Sequence, residues 1–250
     1  VEIVGVDDDT RDAIERVLPD RERPTSLFDA ERLAEEAAER ARAFMRSEGW
    51  YAATVEPKAE DAPPRAQVLI EPGARFAFAA PEVRFEGVID DASAAAARKE
   101  IAIIAAGKPA RAGDVLTAEA AAIAALRKNG YANAKALPRQ NVVDHATNTM
   151  TTALAFDLGE RIRLGFVSVE PPTALRPSFA ARAATWKPGD YFDPERLQQL
   201  RRDLASTGAF SVVGTKLAPQ AGADGLTDVI IALEEAKPRV LELGVGWSTT

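Results

Sequence analysis

The chain has 250 residues and a formal net charge of −7, with 46% hydrophobic and 28% charged residues and no cysteine. This is the composition of a folded globular chain, and its Lys and Arg are interspersed with Asp and Glu, which argues against a nucleic-acid partner, since that needs clustered cations. The lack of cysteine excludes disulfides, thiol catalysis and cysteine metal sites, and no run approaches the ~18 apolar residues of a membrane-spanning helix.

Taken in chain order, Asp7-Asp8-Asp9 before Thr10 reads as a helix start, where acidic side chains satisfy free N–H groups; the helix is predicted over Thr10–Leu18. Glu35, Glu36 and Glu39 then alternate with Arg32, Arg40 and Arg42, the pattern of a solvated helix face. This second helix ends in AERARAFMRSEGW (Ala38 to Trp50) and is followed by strands at Ala52–Pro57, Ala66–Glu71 and, past Pro72-Gly73, Arg75–Phe78. A new helix is predicted over Asp91–Ala105, and another ends in EAAAIAALRKNGY (Glu119 to Tyr131). Strands follow at Ala132–Leu137, Met150–Asp157 and, past Leu158-Gly159, Ile162–Val169, with an insert around Asp144–Asn148. The last set has a helix near Pro177–Ala184, a second ending in LQQLRRDLASTGAF (Leu197 to Phe210), and strands at Ser211–Leu217 and Thr227–Glu234.

The same grammar occurs three times. Gly49, Gly130 and Gly208 lie 81 and 78 residues apart, and each is followed closely by an aromatic: Trp50 and Tyr51, Tyr131, and Phe210. Four residues before the glycines stand Met45, Leu126 and Leu204, and eight before stand Ala41, Ala122 and Leu200. Positions i and i+4 share a helix face, so each helix presents one apolar stripe, and the glycine suits a left-handed C-cap.

The final stretch differs. In RVLELGVGWSTT, Leu241, Leu243, Val245 and Trp247 fall on one face of a strand, with Glu242, Gly244, Gly246 and Ser248 on the other. Large apolar residues alternating with small or polar ones over about 9–11 residues is how a transmembrane β-strand reads; an amphipathic strand of the third sheet reads the same way. A lone membrane strand would leave its backbone unpaired, so on the barrel reading the chain is the soluble part of a longer protein.

No catalytic, cofactor or metal residue is assigned. His145, the only histidine, would need carboxylates to complete a zinc site, no Gly-x-Ser-x-Gly elbow is present, and the acidic run lacks EF-hand spacing.

The order of elements resembles the POTRA (polypeptide-transport-associated) family. The stretches SEGWYAATV, KNGYANAKA and STGAFSVVG are similar to that domain's signature at the end of its second helix. IEPGARFAFAAPEVRFEG and FDLGERIRLGFVSVE resemble its inter-domain links, PGDYFDPERLQQLRRDL its lead into the last domain's second helix, and LELGVGWSTT a first barrel strand. The resemblance implies an α+β chain of three tandem β-α-α-β-β domains, each a small three-stranded sheet with two helices on one face. The domains would span 1–74, 75–160 and 161–238, with 239–250 starting the first strand of a β-barrel. Three such domains before a barrel resemble the TamA type within the BamA/TamA superfamily. The implied role is non-enzymatic: inserting autotransporter or other outer-membrane proteins from the periplasmic face of a Gram-negative outer membrane. The implied partners are unfolded barrel precursors and an inner-membrane-anchored TamB-like protein, with the outer membrane reached through the barrel. BamA-like or two-partner-secretion transporters, or a periplasmic interaction module without a barrel, are the alternatives.

The edge of such a sheet offers unpaired N–H and C=O groups, which another chain's strand can join whatever its sequence. The third domain's first hairpin strand, with Val212 and Val213, is the most strand-prone of the three. Phe210, Val212, Val213 and Leu217 are therefore the expected partner-binding residues, although the valines would equally serve the domain's own core. Gly73 and Gly159 are candidate hinges, or else turns that fix the angle between domains.

Overall fold

The computed structural model describes residues 1–170, 177–208 and 210–235. The first repeat comprises β1 (Glu2–Val4), α1 (Asp8–Val17), α2 (Leu27–Ser47), β2 (Thr54–Asp61) and β3 (Pro64–Glu71). Asp7 caps α1 by accepting the Thr10 N–H at 2.8 Å, and Ser26 caps α2 by accepting that of Asp29 at 3.1 Å. The sheet order is β1-β3-β2, with β1 parallel and β2 antiparallel to the central strand. Ala37, Ala38, Ala41 and Met45 of α2 are buried with Val55, Val68 and Ile70 of the sheet. Alanine along this stripe lets the helix lie close to the strands.

The second repeat comprises β4 (Ala77–Phe78), β5 (Glu82–Glu86), α3 (Asp91–Ile101), α4 (Ala112–Lys128), β6 (Lys135–Ala136), β7 (Gln140–Asp144) and β8 (Thr149–Asp157). β8 is central: β4 and β5 run parallel to it, β6 and β7 antiparallel. Here the structure departs from expectation twice. The strand expected over Arg75–Phe78 shrinks to two residues, and the main parallel strand is β5, beyond Pro81. The strand expected over Ala132–Leu137 is reduced to Lys135–Ala136, and the longer antiparallel strand, Gln140–Asp144, lies past Pro138 in a stretch read as turn; proline has no N–H to give a ladder. The insert at Asp144–Asn148 is the turn of the β7–β8 hairpin, where the Asp144 carboxylate accepts from the Ala146 N–H and the Thr147 hydroxyl, each at 2.8 Å.

The third repeat comprises β9 (Leu164–Val169), α5 (Pro177–Ala183), α6 (Pro194–Ser206), β10 (Phe210–Leu217) and β11 (Thr227–Glu235). β11 is central, parallel to β9 and antiparallel to β10. Leu197, Leu200 and Leu204 of α6 join Leu164, Trp186, Val229, Ile231 and Leu233 in its core.

The shared stripe is present in all three repeats. Met45, Leu126 and Leu204 are 0%, 0% and 1% exposed, and Ala41, Ala122 and Leu200 are all at 0%. The three glycines have φ of +94°, +102° and +68°, a region side-chain-bearing residues avoid. The chain forms two compact units: Val1–Ala125 with Lys135–Leu158, and Leu126–Ala134 with the residues from Gly159 onward. The first holds two of the sheets and the second holds one. Among the described residues no helix is long and apolar enough to cross a membrane.

Several carboxylates hold local structure and titrate below their usual range. Asp7 is held low by the backbone N–H and hydroxyl of Thr10, Asp190 by the backbone N–H of Lys187 and by Arg196, and Glu36 by Arg21. A depressed folded-state pKa adds stability above the unfolded pKa that is lost as pH falls through the folded one. Thermal unfolding midpoints followed by circular dichroism should therefore stay level from pH 7 to about 5 and fall below about pH 4. A midpoint that rose on acidification would contradict this.

Candidate protein-binding edge

The outer strands of the first and third sheets differ in how far other groups already occupy their backbone, which is what another chain's strand would pair with. In the first sheet, Arg11 donates Nε to the Ile3 carbonyl at 3.2 Å, on β1, and Arg42 donates Nη2 to the Val55 carbonyl at 3.0 Å, on β2. Guanidinium groups thus occupy acceptors on both outer strands, one of the ways proteins blunt an edge. At β9 the Leu164 N–H goes to the Asp190 carbonyl and the Gly189 N–H to the Leu164 carbonyl, both at 2.8 Å, and the Asp228 carboxylate accepts the Phe166 N–H at 2.7 Å.

β10 is different. Its register with β11 runs from Val212 opposite Glu234 to Leu217 opposite Val229, after an irregularity between Phe210 and Val212. One residue further on, the Ala218 N–H bonds the Asp228 carbonyl at 2.8 Å. Antiparallel pairs alternate between those that exchange bonds inward and those whose groups point outward. Counting back, Lys216 and Gly214 bond inward to Ile230 and Ala232, and Val213, Thr215 and Leu217 turn their N–H and C=O away from β11. Among the described residues no hydrogen bond meets that outward row.

The side chains of the row face the other direction of interest. Their cross-strand partners Leu233, Ile231 and Val229 are buried in the core, and Val213 and Leu217 pack against that same cluster. Phe210 is 7% exposed and belongs to the core itself. At Val213 and Leu217 the side chains pack toward the domain's own interior while the backbone N–H and C=O point away from β11. Val212 stands opposite Glu234. Beside the edge runs an open cleft lined by Gln198, Arg201, Arg202, Ala205 and Val213.

The sequence reading named Val213 and Leu217 of the outward row but not Thr215 between them. Period-two alternation from Val213 would have found it. The candidate hinges Gly73 and Gly159 have φ of +67° and +62°. Leu241, Leu243, Val245 and Trp247 lie outside the described residues. Among the described residues no three His, Cys, Asp or Glu side chains are grouped to hold a metal. His145 sits in the β7–β8 turn with its ring edge-on to Phe76, centroids 5.2 Å apart.

No protein-family model matches the sequence, and no curated protein is significantly similar to it. Solved structures are. The third to fifth POTRA domains of Haemophilus influenzae BamA align with a TM-score of 0.50 at 19% identity, over 80% of each chain. Haemophilus ducreyi BamA lacking its first three POTRA domains aligns with a TM-score of 0.53 at 18% identity, over 64% of this chain and 30% of that one. The chain therefore has the fold of tandem POTRA domains: small sheets with helices, in the β-α-α-β-β order.

Proposed function

We propose that the chain is a row of three POTRA domains, 1–74, 75–160 and 161–238, that captures unfolded outer-membrane or autotransporter polypeptides by strand addition. The module is one of protein interaction rather than catalysis, placed in the periplasm as part of an outer-membrane assembly factor of the TamA kind. On this reading residues 239–250 lead into a barrel, and an inner-membrane-anchored TamB-like protein is the second partner. The observation that carries the proposal is the outward backbone row at Val213, Thr215 and Leu217. Six hydrogen-bonding groups in extended register suit a partner recognised by its backbone, as a factor handling many unfolded substrates requires.

A BamA-like role in general outer-membrane assembly is the second reading, favoured by the likeness to BamA domains. The two differ in substrate, not in the pairing chemistry.

A photo-crosslinking residue placed at Thr215 tests the capture step. Incubated with an unfolded outer-membrane protein, it should give an adduct mapping to a barrel-strand segment of the substrate. Equal yield from the same residue placed at Glu100 on the exposed side of α3 would defeat the proposal, because contact would then be unspecific.

A further inference from the structure

Two stretches of backbone, one in each compact unit, repeat the same set of bonds. In the first, Arg75 donates Nε to the Glu48 carbonyl at 2.9 Å, the Phe76 N–H goes to the Gly49 carbonyl at 2.8 Å, and the guanidinium carbon lies 5.4 Å from the Trp50 ring centroid. In the second, Arg161 donates Nε to the Asn129 carbonyl at 2.9 Å, the Ile162 N–H goes to the Gly130 carbonyl at 2.8 Å, and the guanidinium carbon lies 5.4 Å from the Tyr131 ring.

The correspondence extends further along the backbone. The Phe76 carbonyl accepts the Ala110 N–H at 2.9 Å, and the Ile162 carbonyl accepts that of Phe192 at 3.0 Å. Phe78 N–H to Lys108 carbonyl, at 2.7 Å, is matched by Leu164 to Asp190 at 2.8 Å. Gly107 N–H to Phe78 carbonyl is matched by Gly189 to Leu164, both at 2.8 Å.

We infer that the corner where helix, glycine and aromatic meet is a seat for an incoming extended Arg–apolar segment, and that this seat is how one repeat is fastened to the lead-in of the next. A helix end leaves carbonyls without intrahelical partners; here an arginine and the following backbone N–H take them up. The glycine is needed twice over. Its positive φ turns the chain out of the helix, and a side chain would crowd what surrounds it: a Cβ at Gly49 would come within 3.2 Å of the carbonyl oxygen of Ala110, whose N–H bonds the seated Phe76, and one at Gly130 within 3.0 Å of Cγ of the seated Arg161. The aromatic supplies a face for the guanidinium. Arginine suits the place better than lysine because its planar fork can donate to a carbonyl while stacking on a ring. In the first seat Glu48 adds a carboxylate that reaches Arg75 at 3.2 Å and Arg111 at 3.1 Å. In the second, Tyr191 lies against Arg161, 3.5 Å from guanidinium carbon to ring centroid.

Gly73 and Gly159 each stand two residues before the seated arginine, with nearly equal φ. They are turns that aim the arginine at its seat, not points of free rotation. Arg239 stands four residues past the end of β11, as Arg75 and Arg161 do past β3 and β8; it lies outside the described residues.

The cysteine-free chain makes the test direct. Spin labels on Glu35→Cys in α2 and Glu100→Cys in α3 report the distance between the first two repeats by electron–electron resonance. The full chain should give one narrow distribution, and Arg75→Ala one severalfold broader, with Arg75→Lys in between. Amide exchange gives an independent reading of both seats. Arg75→Ala should speed exchange at Phe76, and Arg161→Ala at Ile162, about tenfold or more, the loss expected for a charge-assisted bond. Amides in the middle of β3, β8 and β11 should keep their protection. An unchanged distance distribution together with unchanged exchange at Phe76 and Ile162 would overturn the inference. So would acceleration spread evenly through the sheets, since the arginines would then serve core stability alone.

Discussion

Replacing Val213 by proline is expected to weaken capture of an unfolded polypeptide at β10 about tenfold or more while leaving the fold in place. Proline lacks an N–H, and the Val213 N–H is one of those that point away from β11. The substitution therefore removes a donor from the free edge without breaking a bond of the sheet, and the ring stands where a partner strand would approach. Each backbone bond is worth about 1 kcal/mol net, so losing one or two, with the added obstruction, should weaken binding about tenfold or more. Two companions separate pairing from packing. Val213→Ala keeps the N–H and trims the side chain that packs on the core, so capture should be nearly that of the parent. Lys216→Pro removes an N–H that bonds inward to Ile230 and should lower the stability of the sheet itself. The readouts are titration with a strand-forming barrel segment and circular dichroism of each variant. A folded Val213→Pro chain that binds as well as the parent would remove β10 from the proposed function.

The second large effect is expected from Leu204→Ala. Leu204 is 1% exposed and lies in the cluster of Leu197, Leu200, Phe210, Ile231 and Leu233. Truncating a buried leucine removes its transfer free energy and leaves a cavity, typically costing about 2–5 kcal/mol. Because the molecule has two compact units, a single unfolding free energy is not the right measure. Denaturant-dependent amide exchange resolves the units: the β11 amides should lose protection by that amount, and those of β3 should not. Met45→Ala, at the equivalent position and 0% exposed, should do the converse. If Leu204→Ala left β11 protection untouched, the equivalence of the repeats would be a coincidence of spelling.

Much of this molecule was readable in advance because its signals are local. The helix start at Asp7 follows from a side chain that reaches an N–H three residues on. The stripes at Met45, Leu126 and Leu204 follow from helix periodicity, and the glycine after each from the φ it alone tolerates cheaply. The hairpin Phe210–Glu235 follows from apolar runs around a polar turn, and Ala66–Glu71 likewise; β2, however, runs on through charged Lys58–Asp61, which reads as turn in the sequence. The second repeat was read least well, for a physical reason. Its short pieces β4 and β6 carry too few residues to show alternation, and β5, EVRFE, reads as a charged stretch until β8 pairs with it.

The edge and the seats divide differently between sequence and structure. That a strand such as Phe210–Leu217 would form was determined by its β-branched residues and its place after the glycine corner. Which of its groups face outward was not, because that depends on hydrogen-bond register, and register is fixed only when β11 is laid beside it. Likewise the sequence contains Gly-x-Arg followed by an apolar residue twice, at Gly73-Ala74-Arg75-Phe76 and Gly159-Glu160-Arg161-Ile162. It does not show that each arginine reaches back 27 and 32 residues to the carbonyls of Glu48 and Asn129. Chemistry between neighbours along the chain is written in residue order; bonds across that many residues exist only once the intervening hairpin has folded back, which is a decision of the tertiary structure.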